Sequence, residues 1–174
     1  MLGRPQRSEA ADYYWKYIDR VTFDDPMRAL VQQLGEAMEL CAAVSEDRSM
    51  CRYEPGKWSM RQALNHVTDT ERAFSFRALW FARGFTAPME SFDQDVSAEG
   101  AAADRVTWSC HLEEFQQVRL ATISLFRNMP DAAWSRSGVA NGSLVSVRAL
   151  AFLCAGHAEH HLSILRERYL GHGG

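Results

Sequence analysis

Four long segments of this chain return apolar side chains at intervals of three and four residues, the spacing of a single helix face. The first opens at Asp25 with Pro26 just inside it and carries Met27, Leu30, Val31, Leu34, Met38 and Cys41 on one stripe to about Val44. The second follows the turn residues of "PGKWS"; Ser59 can cap it, and Leu64, Val67, Phe74, Ala78 and Phe81 recur until Arg83-Gly84. The third, from about Thr107 to Met129, carries Leu112, Phe115, Val118, Thr122, Leu125 and Phe126 ahead of Pro130. The fourth opens near Ser146 and runs to Gly171, a glycine placed to end it. "EAADYYWKYIDRV" adds a short aromatic-rich helix, expected over the end of the bundle. Asn141-Gly142 within "GVANGSLVSV" signals a turn, but one hairpin does not make a sheet. The class is all-α, a four-helix bundle with long interhelix loops, because the connections Phe85 to Val106 and Pro130 to Val145 exceed ordinary helix-to-helix links.

A chain of 174 residues with 47% hydrophobic residues can bury one substantial core, so a single domain over residues 1–174 is expected. The net charge is −3 without a basic block, which removes the electrostatic footprint of nucleic-acid binding. "GKWS" is no phosphate loop, since the spacing G-x-x-x-x-G-K-[ST] is absent. Nothing reads as a signal peptide, and the most hydrophobic stretch, "SLVSVRALAFLCAGHAEHH", is broken by Arg148 and by histidines before it could span a bilayer. Cys41, Cys51, Cys110 and Cys154 lie far apart with no C-x-x-C pair and read as reduced thiols, mostly filling the core. The expectations are a cytoplasmic protein with no membrane and no nucleic-acid partner.

"GHAEHHLSILRERYL", from residue 156, gathers three of the six histidines. On the fourth helix the stripe reads Leu150, Leu153, Cys154, His157, His161, Ile164 and Leu165, so two imidazoles occupy positions where leucine would belong. A buried imidazole without a partner costs about 1–3 kcal/mol. One cation satisfies both, because side chains at i and i+4 stand one above the other and converge on a single ion. His160 is an alternative i, i+3 partner of His157, although it lies off the stripe.

A third ligand must come from another helix, and His66, His111 and His172 are available. His172 sits in the glycine-rich tail. His111, beside Glu113 and Glu114, reads as solvated. His66 lies two turns into the second helix, followed by Thr70 one turn on and Arg77 further along; antiparallel pairing of the second and fourth helices brings it level with His161. Three neutral imidazoles leave a coordination position open, as catalytic sites do, and suit zinc or nickel, with iron and manganese as further options. Cys154, one turn below His157, reads as core.

"PGKWSMRQALNHVTDTERAFSFRALWFARG", "FDQD" at 92 to 95, "QVRLATISLF" at 117 to 126 and "AGHAEHHLSILRERYL" together resemble the DinB-like superfamily of bacterial four-helix-bundle metal-dependent enzymes, also called DinB/YfiT-like. The likeness runs from "RPQRSEAADYY" to "ERYL", and its most specific part is W-S-x-x-x-x-x-x-H joined to H-x-x-x-H. The resemblance implies a divalent metal, zinc or nickel, on His66, His157 and His161, which decides between His160 and His161. It also implies a homodimer and, for members of known chemistry, thiol-dependent S-transfer with low-molecular-weight thiols or isomerisation of maleylpyruvate.

Two functions follow as expectations. In one, the metal activates a thiol or a water for S-transfer to, or hydrolysis of, a small-molecule substrate. Arg77 and Arg119, charges within otherwise apolar helices, are candidates to hold a substrate carboxylate, with Asp93 or Asp95 at the pocket mouth; for each, a surface or interhelix salt bridge is the competing and favoured role. Glu71 would hydrogen-bond a ligand imidazole or pair with a neighbouring charge. In the other, the metal clamps two helices of a non-catalytic stress-response module.

Overall fold

The computed structural model describes residues 3–171. His172 therefore lies outside the described residues. Helix α1 (Asp12–Ile18) precedes the first long helix, α2 (Pro26–Ala42). A single turn, α3 (Glu46–Ser49), leads to α4 (Met60–Ala82). Helix α5 (Gln94–Ala101) interrupts the long connection to α6 (Trp108–Arg127). The last helix, α7 (Val147–Ile164), widens into a π-helical segment over Leu165–Leu170. No helix among the described residues is long and apolar enough to cross a membrane.

All four long helices start at side-chain caps, two of which, Asp25 and Ser59, are read from the sequence. Side-chain oxygens of Asp25, Ser59, Thr107 and Ser146 accept from the backbone N–H groups of Met27, Gln62, Cys110 and Ala149. Gln62 returns the bond to the Ser59 backbone, completing a capping box. The turn signal at Asn141-Gly142 also forms: strands β1 (Ser137–Ala140) and β2 (Ser143–Ser146) pair antiparallel around it, with φ of 51° and 68° at the two turn residues. This hairpin runs straight into α7 and leaves the architecture a helical bundle. The turn is tied outward, since Asn141 N–H donates to the Met89 carbonyl and Met89 N–H to that of Val139.

Helices α4 and α7 run antiparallel. His66, near the start of α4, faces His157 in the second half of α7, while the Ala82 carbonyl at the far end accepts from Arg136, just ahead of the hairpin. Helix α1 does not cover the bundle end. It docks along α7, where the absence of a side chain at Gly156 lets the Tyr17 carbonyl approach; a Cβ there would overlap that backbone.

Two apolar clusters fill the interior. One holds Leu30, Phe74, Ile123, Phe126, Leu150 and Leu153; the other holds Ala37, Leu64, Val67, Phe115, Ala158 and Leu162. Along each long helix the change from one cluster to the other falls at a buried polar residue: Gln33 on α2, Glu71 on α4, Arg119 on α6 and His157 on α7. The Arg119 and Glu71 side chains are 0% and 2% exposed, and Arg119 donates to both carboxylate oxygens at 2.7–3.0 Å. Arg119 Nη1 also donates to Gln33 Oε1 and the Leu30 carbonyl, and Gln33 Nε2 to the Ala155 carbonyl. One guanidinium thus ties α6 to α2 and α4, and through Gln33 to α7.

His111 is also inside, not solvated: it is 2% exposed, and its Nε2 bonds the Ala103 carbonyl at 2.9 Å. Of the cysteines, Cys41 and Cys154 are core, whereas Cys51 and Cys110 are exposed.

Removing one member of a buried ion pair leaves an uncompensated charge. Arg119→Ala is expected to cost about 3–5 kcal/mol, a fall in Tm on the order of 10 °C by calorimetry. The joint change Glu71→Leu with Arg119→Met removes both charges and should recover most of that loss.

Candidate metal centre

His157 and His161, one turn apart on α7, place their ring centroids 4.6 Å from each other, and each lies 4.9 Å from the His66 ring. Nε2 of His66 and Nε2 of His157 are 3.1 Å apart, and one ring nitrogen from each of the three lies within 4.8 Å of the others. Two nitrogens bound to one tetrahedral zinc at about 2.0–2.1 Å would be roughly 3.3 Å apart, so little movement is needed for all three to share an ion. His160 stays out of this group. It is half-buried, beside the rings of Tyr17 and His161.

The surroundings keep the imidazoles neutral. Burial, reinforced by the neighbouring histidines, pushes His157 well below the ordinary value of about 6.5, His161 to about 3 and His66 to about 4; at His66 the nearby Asp95 carboxylate opposes the shift. A neutral imidazole offers a lone pair, the form in which histidine binds a metal. The donor set, its convergence and its protonation all fit a divalent cation, and the group contains no fourth protein ligand among the described residues.

Aromatic side chains wall the cluster. Trp58 sits 4.9 Å from the His66 ring, Tyr17 5.3 Å from His157, and Phe74 6.0 Å from His157. Two cavities open from it. The larger, about 370 Å³, exposes His66 and His157 and runs between Tyr13, Tyr14 and Tyr17 of α1, the α4 face and the start of α5. The smaller, about 280 Å³, exposes His161 beneath Trp58, Lys57 and Tyr169. Gln94 and Asp95, in the first turn of α5, line both and form the wall between them.

Arg77, Asp93 and Asp95 line the larger cavity. Asp93 also caps α5, accepting from the N–H groups of Asp95 and Val96. Arg119 does not reach the cavity, because its guanidinium is consumed by Glu71 and Gln33; Glu71 in turn holds no imidazole. Cys154 faces the same ion pair, and burial raises its thiol well above the usual range, which keeps it protonated. Sequence reasoning missed the three tyrosines and Trp58 as walls of the site. The aromatic richness of residues 13–17 hinted at the tyrosines, and the W-S-x-x-x-x-x-x-H motif at Trp58.

A sequence profile of the DinB superfamily matches residues 29–165. Among solved structures, the chain is similar to YfiT from Bacillus subtilis, described as a probable metal-dependent hydrolase with an unusual four-helix bundle topology. The TM-score is 0.70 at 18% identity, covering 97% of this chain and 93% of that one. It is also similar to a mycothiol-dependent maleylpyruvate isomerase, with a TM-score of 0.68 at 14% identity, covering 83% of this chain and 61% of the longer relative. Against curated protein sequences nothing matches.

Because the folded protein holds these imidazoles uncharged while the unfolded chain protonates them near pH 6.5, the unfolded state binds more protons below that pH. The metal-free protein is expected to keep full stability above about pH 6.5 and to lose it as the pH falls toward 4. Urea midpoints measured between pH 7.5 and 4.5 check this; a flat profile contradicts it.

Proposed function

This chain belongs to the DinB superfamily, and from that premise we propose that it is a metal-dependent enzyme holding one zinc or nickel ion on His66, His157 and His161. The observation that carries the reading is the convergence of three neutral imidazoles, two buried and that of His161 partly buried, where two open cavities meet. A divalent cation held there supplies Lewis acidity, lowering the pKa of a thiol or water so that a nucleophile is available near neutral pH.

The chain's own residues supply the rest. Tyr17, Phe74 and Trp58 exclude water from the imidazole faces and fix their orientation. Asp95, which feels the His66 ring and borders both cavities, is the carboxylate placed to take a proton from a reactant arriving from either side. Two cavities meeting at one centre favour a reaction between two small molecules, such as S-transfer from a low-molecular-weight thiol, over a one-substrate hydrolysis. A homodimer is part of the same proposal, and the exposed apolar side chains Phe76, Phe85 and Val96 supply surface for it.

The double change His157→Ala with His161→Ala is expected to lower zinc or nickel from about one ion per chain to background in elemental analysis, with the helical circular-dichroism spectrum retained. Full metal content in that variant sinks the proposal. With metal loaded, a panel of low-molecular-weight thiols and electrophiles should show turnover that the double variant lacks. Tight metal binding without turnover of any thiol or ester would instead mark a module in which the ion only clamps α4 to α7.

A further inference from the structure

The helix face that carries His66 continues through Thr70, Phe74 and Arg77, all four buried and all four lining the larger cavity. Arg77 stands out among them. It is 5% exposed, and its one hydrogen bond is from Nη2 to the Glu90 carbonyl at 2.8 Å; it has no ion pair among the described residues. The other buried guanidinium, Arg119, shows what this protein otherwise does with such a charge, giving it a bidentate carboxylate and an amide oxygen. A buried cation without a counter-charge is costly. The acidic residues of the same cavity, Asp93 and Asp95, do not meet that need: neither forms an ion pair with Arg77, and Asp93 is occupied in capping α5.

A second group in this cavity also lacks a partner. Thr70 Oγ1, between His66 and Arg77 on the same face, is buried without a hydrogen bond. Glu90, which holds Arg77, follows directly on Met89, whose backbone is bonded to Asn141, so the hairpin turn closes the Arg77 end of the cavity. Tyr14 and Phe74, with ring centroids 6.4 Å apart, and Phe92 give the middle an aromatic lining.

We propose that Arg77 is the anchor for a carboxylate, and that the substrate is a small arylalkyl or similarly apolar carboxylic acid lying along α4. Its carboxylate pairs with Arg77, a polar atom meets Thr70, and its far end reaches the histidines. From residue 66 to residue 77 the helix rises about 16 Å, and allowing for the reach of an arginine side chain back toward the helix start, the carboxylate and the reacting atom are separated by on the order of 10 Å. This substrate assignment rests on the metal-enzyme reading, but the anchor itself works without metal.

The experiment is isothermal titration of metal-stripped protein with ω-phenylalkanoates carrying two to five methylenes, each beside its primary amide. A charge-assisted pair is worth about 1.5–3 kcal/mol, so at least one acid is expected to bind roughly ten- to a hundredfold more tightly than its amide. Arg77→Gln should remove that preference, bringing acid and amide to similar affinity, and Arg77→Lys should restore part of it. Acid and amide binding alike, no acid binding at all, or an undiminished preference in Arg77→Gln overturns the anchor. The wild-type comparison requires no variant to fold. Metal retained by the double histidine variant, with the acid preference intact, would defeat the enzyme reading alone; metal lost there, with no acid preference, would defeat the anchor alone.

Discussion

The ion pair between Arg119 and Glu71 is the contact on which the arrangement of the helices depends. Both groups are withdrawn from water, and desolvating them costs several kcal/mol per ion unless the geometry is well matched. Here the guanidinium meets both carboxylate oxygens, the Gln33 amide oxygen and the Leu30 carbonyl. A slip of α6 or α2 by one turn, about 5.4 Å, would leave the carboxylate buried and alone. Apolar packing could tolerate such a slip, since leucine and alanine look much alike one turn along; a charge pair cannot. The two hydrophobic clusters above and below are held in one register by the polar layer between them.

That register is also what brings His66 opposite His157 and His161. Glu71 lies five residues beyond His66 on α4, and Gln33 bonds the Ala155 carbonyl two residues before His157 on α7. The network fixes the heights of both histidine-bearing segments from the side away from the cavity, while α1 and α5 close over them from the other. A site assembled from two helices needs both to be immobile along their axes to within a fraction of an ångström. The buried charges of the interior supply that constraint without touching the imidazoles.

Much of this was legible in the sequence because it is local or periodic. The caps at Asp25 and Ser59, with the apolar periodicity of the other two segments, placed the starts of the long helices nearly to the residue, and imidazoles on a leucine stripe marked the centre. His111 was misread, and the partner of Arg119 could not be named, for one reason: each finds its partner through tertiary structure. Arg119 is buried against a glutamate on α4, and His111 against the Ala103 carbonyl at the start of a single 3-10 turn after α5. Neighbouring acidic residues in sequence, Glu113 and Glu114, point elsewhere on their helix and said nothing about its burial. Helix α5 was hidden because its residues bury no apolar face and it forms beside its cap, Asp93, rather than around a stripe. The position of α1 was equally unreadable, since it depends on what α7 lacks at one residue.

That missing side chain has an evolutionary consequence. Helix α1 and the segment around residue 156 lie at opposite ends of the chain, yet neither tolerates change alone: a larger residue at Gly156 evicts the Tyr17 backbone, and with it the ring that covers His157. In this chain the pattern that builds the roofed site is therefore G-H-x-x-x-H rather than H-x-x-x-H alone. Without its first helix the chain would be released from the glycine while keeping both histidines, so residue 156 serves the roof of the site and not the ligand set.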